Sequence, residues 1–286
     1  MTAFKISGIG FGFETPCEVG ASVYYGRFRV SENEFNALED RHLFTFCEGE
    51  RPEAKSGTLL AKSGDYSVYM TEKGRAKVSS RFDGGSYECT CFQSLTEPGG
   101  ELYFSENGLK AAKTEAELFR LIELFSALLY FDAFILHGAV VELDGTAYIF
   151  SGDSGVGKST QAELWRKYGG ARVLNGDRVI LRKKGGEWLA CGLPFCGSSK
   201  VCEDFALPVG GIIFLSKGGK NEVSVPSELY KIVKVMSQLS LSAGRKEDSG
   251  RLAQLLGNLS QSVKILDYDC SPDRTAVETL KVYLGL

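Results

Sequence analysis

A glycine-rich segment near the middle of the chain carries the clearest chemical signal. It fills every fixed position of the phosphate-binding pattern G-x-x-x-x-G-K-[ST] with Gly152, Asp153, Ser154, Gly155, Val156, Gly157, Lys158 and Ser159. Glycines in this pattern let successive backbone N–H groups turn toward an anion, and the following helix adds the positive end of its dipole. We expect Lys158 to reach the β- and γ-phosphates of a nucleotide and the Ser159 hydroxyl to ligate Mg²⁺.

The sequence on both sides of this loop predicts the strand and the helix that the pattern requires. Residues 146–150 form a short apolar run typical of a strand, and residues 160–168 predict a helix that ends at a Gly-Gly pair. We therefore expect residues 152–157 to surround the phosphates and Thr160 to complete the binding site. The competing interpretation is a glycine-rich turn that binds nothing. It requires that the loop and both flanking segments match the phosphate-binding pattern by chance. The pattern leaves kinase, ATPase, GTPase and nucleotide sensor open.

Two further residues are expected near the loop. Asp177 follows the apolar pair Val173-Leu174, where P-loop enzymes place a carboxylate that holds Mg²⁺ or its water, although an Asn-Gly-Asp turn also explains it. His137 lies on a strand predicted over residues 134–143, and Asp-Gly at 144–145 predicts a hairpin into the strand before the loop. A lone strand histidine is more often structural than catalytic, and its spacing leaves both roles open.

Composition excludes several classes of protein. The 286 residues are 43% hydrophobic and 24% charged, with a net charge of −3, which predicts a globular core and argues against nucleic acid or an anionic membrane as a partner. No apolar run approaches the ~20 residues that span a bilayer, and no signal-peptide layout is present, so we expect a cytoplasmic protein. The eight cysteines form no C-x-x-C pair and the chain has two histidines, which does not favour a zinc site. Cys89 and Cys91 are expected to be buried free thiols.

The pattern of apolar residues divides the chain into two regions. Residues 1–112 predict a β-rich region, an antiparallel meander or partly open barrel, and residues 113–286 a nucleotide-binding domain. A helix is predicted from Thr114, which forms a capping box with Glu117, through residue 129. Strands of the first region are predicted at 4–13, 22–30, 42–47, 58–61, 66–70, 76–80 and 87–92.

The part after the loop helix predicts alternating strands and helices. Strands are expected at 188–195, 210–215, 221–225 and 263–269, and helices from Pro226, over 251–259 and from Pro272. The loop at 196–200 could face the site, although Lys200 alone is typical of a surface lysine. The polar segment 242–250 is either a solvated loop or a lid whose Arg245 and Lys246 meet phosphate.

Three of these segments together resemble a known family. His137-Gly138, the loop at 151–159 and the turn that ends at Asp177 resemble the catalytic domain of HPr kinase/phosphorylase, whose core is shared with ATP-dependent phosphoenolpyruvate carboxykinase. The stretch 192–215 is also similar to shorter HPr-kinase-like proteins. The resemblance spans roughly residues 134–225, and residues 1–110 do not resemble the N-terminal domain of these kinases.

The resemblance implies a mixed α/β fold with a carboxykinase-like P-loop core. It implies that His137 lies beside the transferring phosphate, that residues 152–157 and Lys158 bind the phosphates, and that Ser159 and Asp177 hold Mg²⁺. It also implies assembly into a homo-oligomer.

Two positions depart from the family. The family places two adjacent aspartates where this chain has Gly176 and Asp177, and HPr kinases have glutamate in place of Thr160. A general base typically contributes about 10²- to 10⁴-fold to a rate, so a single carboxylate raises the question of which residue serves as base.

The sequence therefore predicts an ATP- and Mg²⁺-dependent kinase that phosphorylates a hydroxyl, above all serine, of a protein, peptide or small molecule. Asp177, His137 and Lys158 are its expected catalytic residues. The alternative is a nucleotide-binding regulatory module in which Gly176 marks lost chemistry. A carboxykinase-like reaction is a third hypothesis, against which stand the short chain and the lack of a second arginine cluster.

Overall fold

The computed structural model describes residues 1–80, 88–104, 108–109, 112–197, 200–240 and 246–286, except for the side chains of residues 246 and 247. The architecture is mixed α/β, as predicted, and the chain divides into two compact units. One comprises Met1–Phe131 with Leu241–Ser249, and the other Asp132–Ser240 with Gly250–Leu286. The expected boundary near residue 112 lies ahead of two helices that belong to the first unit. Whether either unit folds as a separate domain stays a prediction.

The first unit is built mainly from strands. Its helices are α1 (Glu32–Asn36), α2 (Glu115–Leu121) and α3 (Leu124–Tyr130), with short 3₁₀ turns at Tyr25–Arg27 and Pro52–Ser56. The strands are β1 (Thr2–Ile6), β2 (Ile9–Glu14), β3 (Arg29–Val30), β4 (Arg41–Glu48), β5 (Thr58–Lys62), β6 (Tyr66–Thr71), β7 (Gly74–Ser79), β8 (Cys89–Gln93) and β9 (Gly100–Phe104).

These strands form one sheet in the order β3-β1-β2-β4-β9-β8-β7-β6-β5. Strands β5 to β9 make the predicted antiparallel meander, but β4 runs parallel to both β2 and β9, so the prediction is wrong at that point. The strand predicted over 4–13 is a hairpin. The run at 22–30 contains a 3₁₀ turn at Tyr25–Arg27 and only the two-residue strand β3. The strand predicted at 87–92 begins outside the described residues, and Cys89 and Cys91 are buried, as predicted.

The helix predicted from Thr114 begins as expected but divides into two. Thr114 and Glu117 form the capping box of α2, and Phe119 packs its ring 5.1 Å from that of Phe4 on the sheet. The helix stops at Ile122, whose carbonyl accepts a hydrogen bond from Lys77 Nζ at 2.9 Å, while the neighbouring Glu123 N–H donates to Gln93 Oε1. Side chains of the sheet thus bond backbone groups where a continuous helix was predicted.

His42 on β4 is buried under α3 and held by two hydrogen bonds. Its Nδ1 accepts the Gly99 N–H at 2.8 Å, and its Nε2 lies 2.9 Å from the Ala127 carbonyl oxygen, an arrangement that requires the neutral ring with the proton on Nε2. Burial lowers the pKa of His42 from 6.5 to about 4, which the hydrogen bond to Ala127 only partly offsets.

Acid is therefore expected to destabilise the protein through His42. The unfolded state takes up a proton below its ordinary pKa while the folded ring does not, so the stabilisation is complete above pH 6.5 and is lost as the pH falls toward 4. The two pKa values correspond to roughly 3 kcal/mol. Urea unfolding at pH 7 and pH 4.5 measures the loss, and His42→Gln, which keeps a donor and an acceptor but does not titrate, should show a flatter profile. An equal acid loss in both proteins would contradict the assignment.

The second unit alternates strands and helices. Its helices are α4 (Lys158–Leu164), continued by a π-helical turn at Trp165–Gly169, then α5 (Glu228–Ser237), α6 (Lys246–Ser262) and α7 (Arg274–Leu284). Residues 246–249 at the start of α6 belong to the first unit. Its strands are β10 (Ala133–His137), β11 (Ala139–Leu143), β12 (Thr146–Ser151), β13 (Arg172–Asn175), β14 (Arg178–Lys184), β15 (Glu187–Cys191), β16 (Ala206–Ser216), β17 (Glu222–Ser224) and β18 (Ile265–Asp269).

Most predicted elements of this unit are present, and three predictions need correction. The strand predicted over 188–195 ends at Cys191. Residues 134–143 form two strands, separated at Gly138, instead of one. α6 begins at Lys246, so part of the segment predicted as a loop is helical, while Arg245 and the Lys246 side chain of the lid hypothesis lie outside the described residues. None of the described helices is long and apolar enough to cross a membrane.

The long strand β16 organises the sheet of the second unit. The order is β10-β14-β15-β16-β12-β11-β13, with β18 also paired to β16. The first residues of β16 pair antiparallel with β15, and its later residues pair parallel with β12 and β18. Trp165 after α4 packs with Tyr268 of β18 and with Val277 and Leu280 of α7 in a buried cluster, which fixes α4 on the sheet.

Candidate functional site

The glycine-rich loop lies between the end of β12 and the start of α4, as the sequence predicts. Gly152, Gly155 and Gly157 have φ angles of 128°, 76° and 115°, a backbone region that residues with a Cβ rarely adopt. The three glycines therefore determine the path of the loop. Since the first N–H groups of a helix have no partner inside it, the start of α4 presents donors where the loop ends.

Residues after the loop place polar groups at its rim. Ser159 and Thr160 are exposed in the first turn of α4. Unpaired N–H groups together with the positive end of the helix dipole form an anion site, and the serine hydroxyl adds an oxygen ligand beside it. The arrangement can hold a phosphate group and a cation bound to it.

Lys158 extends its ammonium group back over the loop. Its Nζ donates hydrogen bonds to the carbonyl oxygens of Gly152 at 2.8 Å and Asp153 at 3.0 Å. Partial burial lowers the pKa of Lys158, while the carboxylates of Asp177 and Asp153 oppose that shift. The loop thus encloses a positive charge at its centre.

His137 and Asp177 come together because two strand junctions meet. β10 pairs with β14 and β11 pairs with β13, so the junction at Gly138 lies against the turn at Gly176 and Asp177. The Gly138 N–H donates to the Asp177 carbonyl oxygen at 2.9 Å. The end of β12 joins the same point, since the Ser151 hydroxyl donates to the His137 carbonyl oxygen at 2.6 Å.

The turn before β14 is held by the side chain of Asn175. Its Oδ1 accepts the N–H groups of Asp177 at 2.9 Å and Arg178 at 3.1 Å, the pattern of an Asx turn. Asp177 also forms an ion pair with Arg178, with Nε and Oδ2 3.2 Å apart. The charge of Asp177 also acts on Lys158 and His137. The predicted carboxylate therefore lies near the loop.

The half-buried imidazole of His137 is surrounded by more positive than negative charge. Burial lowers the pKa of His137, the cations Arg178 and Lys158 lower it further, and Asp177 acts in the opposite direction. The ring is therefore neutral at pH 7 and can accept a proton. Its Nε2 lies 3.1 Å from the Ser240 hydroxyl oxygen.

Two residues of the site have no signal in the sequence. Gln238 and Ser240 follow α5 and lie along the end of β10, where the Gln238 carbonyl oxygen accepts the His137 N–H at 2.8 Å. The Gln238 side-chain amide also lies 3.4 Å from Asp153 Oδ1 on the loop. Only the tertiary structure brings these residues to the loop. The sequence at the end of a predicted helix does not show which strand the following residues will contact.

A cavity of about 510 Å³ opens beside the loop. It is lined by Gly155, Thr160 and Gln161 on one side and by the segments 217–219 and 270–272 on the other. Gln161 donates its side-chain amide to the Ser271 carbonyl oxygen at 3.0 Å, and its buried Oε1 has no hydrogen-bond partner among the described residues. The cavity is in the size range of small-molecule sites.

A second cavity, of about 450 Å³, lies on the other side of α4 and is lined by Ser159 and Gly176 among others. Position 176 therefore lines the same cavity as the predicted Mg²⁺ ligand. The described residues contain no group of three His, Cys, Asp or Glu side chains that could hold a metal ion. Mg²⁺ commonly binds through one or two protein oxygens together with phosphate oxygens and water, so Ser159 and Asp177 stay predicted ligands of such an ion.

Comparisons with known proteins add a distant structural similarity. No protein-family model matches the chain, and no curated protein matches it. Among solved structures, the chain is similar to the Hpr(Ser) kinase/phosphatase from Coxiella burnetii, with 11% sequence identity, 53% of this chain and 88% of that chain covered, and a TM-score of 0.32. These values indicate a distant structural relationship and carry no argument about the activity of this chain.

Gly197 is expected to be required for the position of Asp177. A Cβ at Gly197 would lie 2.9 Å from both Cβ and Cγ of Asp177, closer than packed atoms allow. We expect Gly197→Ala to cost about 1–3 kcal/mol, as overpacking typically does, measured by urea unfolding. Gly257→Ala on α6, where a Cβ meets open space, is the matched control and should be neutral or stabilising. Equal stability of the two variants would contradict this, because it would mean that residue 197 and Asp177 move apart without cost.

Proposed function

We propose that the second unit binds ATP with Mg²⁺ and transfers the γ-phosphate to a hydroxyl group of a protein, peptide or small molecule. The observation that supports this most directly is the loop itself, with three left-handed glycines, the ammonium group of Lys158 over its carbonyls and a helix beginning at its end. In the same proposal the unit has the carboxykinase-like P-loop core to which its sequence is similar.

Each residue has a defined task in this proposal. Backbone N–H groups of residues 152–157 and the Lys158 ammonium neutralise phosphate charge, which is the main contribution to phosphoryl transfer. Ser159 and Asp177 hold Mg²⁺, which neutralises charge on the β- and γ-phosphates when bound. Thr160 and Gln161 line the adjoining cavity, which in this proposal receives the remainder of the nucleotide.

A base for the acceptor hydroxyl is available at the strand junctions. One candidate is the carboxylate of Asp177. The other is the imidazole of His137, which is neutral because burial and two cations lower its pKa. Both lie within electrostatic reach of Lys158, and so of the phosphates that it contacts. Proton removal therefore does not require the aspartate that Gly176 replaces.

The proposal is tested by thermal unfolding with ATP and Mg²⁺ and by measurement of ADP formation. Saturation at 100 times the dissociation constant should add roughly 2.7 kcal/mol of stability. Stabilisation together with ADP supports a phosphotransferase, and no stabilisation would overturn the nucleotide site.

Lys158→Ala should remove the stabilisation by ATP and Mg²⁺, because it deletes the cation that contacts the phosphates. Lys167→Ala is the matched control, since Lys167 is an exposed lysine in the turn that continues α4. The control should keep the full shift of the midpoint of thermal unfolding. A Lys158→Ala protein that ATP stabilises as much as the wild type would contradict the assigned role.

The second candidate function, a nucleotide-binding module without transfer, is favoured by Gly176. A carboxylate is missing from the position that shares a cavity with Ser159. In that case the wild type binds ATP without forming ADP, and Gly176→Asp should raise the rate of ADP formation by about 10²-fold or more. ADP formation by the wild type at a rate that Gly176→Asp does not change would exclude this candidate.

A further inference from the structure

A serine hydroxyl of the chain itself is bonded to the imidazole of the candidate site. Ser240 Oγ lies 3.1 Å from His137 Nε2, within the range of a nucleophile and its general base. The backbone holds this pair in place, because the Ser240 N–H donates to the Ile135 carbonyl oxygen at 3.0 Å and Leu239 forms a β-bridge with Leu136. Ser240 is partly exposed.

The pair lies at the side of the loop where the terminal phosphate is expected. Lys158, the residue that reaches the β- and γ-phosphates in this pattern, acts electrostatically on His137, as do Arg178 and Asp177. Two residues before the serine, the Gln238 side chain lies 3.4 Å from Asp153 of the loop. The serine hydroxyl, the neutral imidazole and the phosphate-binding cation thus belong to one group of side chains.

We propose that Ser240 is a phosphorylation site of this chain, with ATP bound at the 152–159 loop as the phosphate donor and His137 as the base. The proposal rests on the proposed function. A bond forms between Ser240 Oγ and the γ-phosphorus, the bond from that phosphorus to the β,γ-bridging oxygen breaks, and ADP leaves. The hydroxyl proton passes to His137 Nε2. The phosphoserine dianion then lies near the cations Lys158 and Arg178, which stabilise it.

The neighbouring serines do not share this environment. Ser237 is exposed and donates its hydroxyl to the Lys234 carbonyl oxygen at 2.7 Å, one turn back on its own helix. Ser151 is fully buried and donates to the His137 carbonyl oxygen, so its proton is directed away from the imidazole. Of these three serines, only Ser240 has a base at its hydroxyl.

The test is phosphopeptide mapping by mass spectrometry of the full chain. The chain is first treated with a phosphatase, then freed of it and incubated with ATP and Mg²⁺. We expect one phosphate per chain, at Ser240, at a rate per chain that does not depend on protein concentration. Ser237→Ala should retain the modification, Ser240→Ala should lose it, and Ser240→Thr should form phosphothreonine. His137→Gln should slow it by about 10²-fold or more.

The outcomes separate this proposal from the one on which it rests. ADP formation or ATP-dependent stabilisation without phosphate on Ser240 would overturn the modification site and leave the proposed function standing. Phosphate that maps to another residue, or that persists in Ser240→Ala, would also overturn it. Absence of any stabilisation by ATP and Mg²⁺ would overturn both. Mapping is done on the wild type, so a variant that fails to fold does not affect the result.

Discussion

The arrangement of the candidate site depends on one backbone hydrogen bond between two strand junctions. The Gly138 N–H donates to the Asp177 carbonyl oxygen. This bond connects the junction between β10 and β11 with the junction between β13 and β14. A Cβ at Gly138 would lie 2.7 Å from Ile149 Cγ2, so the junction requires a residue without a side chain. The imidazole of His137 and the carboxylate of Asp177 interact electrostatically because their strands meet at this point.

Charge around this junction follows from the same geometry. Lys158 and Arg178 are the cations that lower the pKa of His137, and Asp177 is the carboxylate that opposes them. An excess of positive charge attracts an anion such as phosphate. The same charge keeps the imidazole neutral, and a neutral imidazole can accept a proton. His42 in the first unit shows the contrasting case, in which burial alone keeps a histidine neutral and two backbone groups occupy its nitrogens.

Local patterns predicted most elements, and the failures share a physical cause. The capping box at Thr114 and the hairpin turn at Asp144 depend on neighbouring residues and are present as predicted. The helix through Ile122 was predicted as continuous because its apolar spacing continues, yet side chains of the sheet bond the backbone there. The parallel pairing of β4 with β2 and β9 was also not predicted. The sequence of a strand does not indicate whether its partner in the sheet runs parallel or antiparallel to it.

The sequence by itself determined the glycine-rich loop, its lysine and serine, and the strand and helix on either side, because the glycine positions and the helix start are local requirements. It placed His137 and Asp177 near the loop, but it did not predict the hydrogen bond between Gly138 and Asp177 that joins their strands. Only the tertiary structure decided that Ser240, 103 residues from His137 along the chain, bonds to that imidazole. Contacts of this kind arise from strand exchange and helix packing, which depend on the whole unit and are not encoded in the spacing of neighbouring residues.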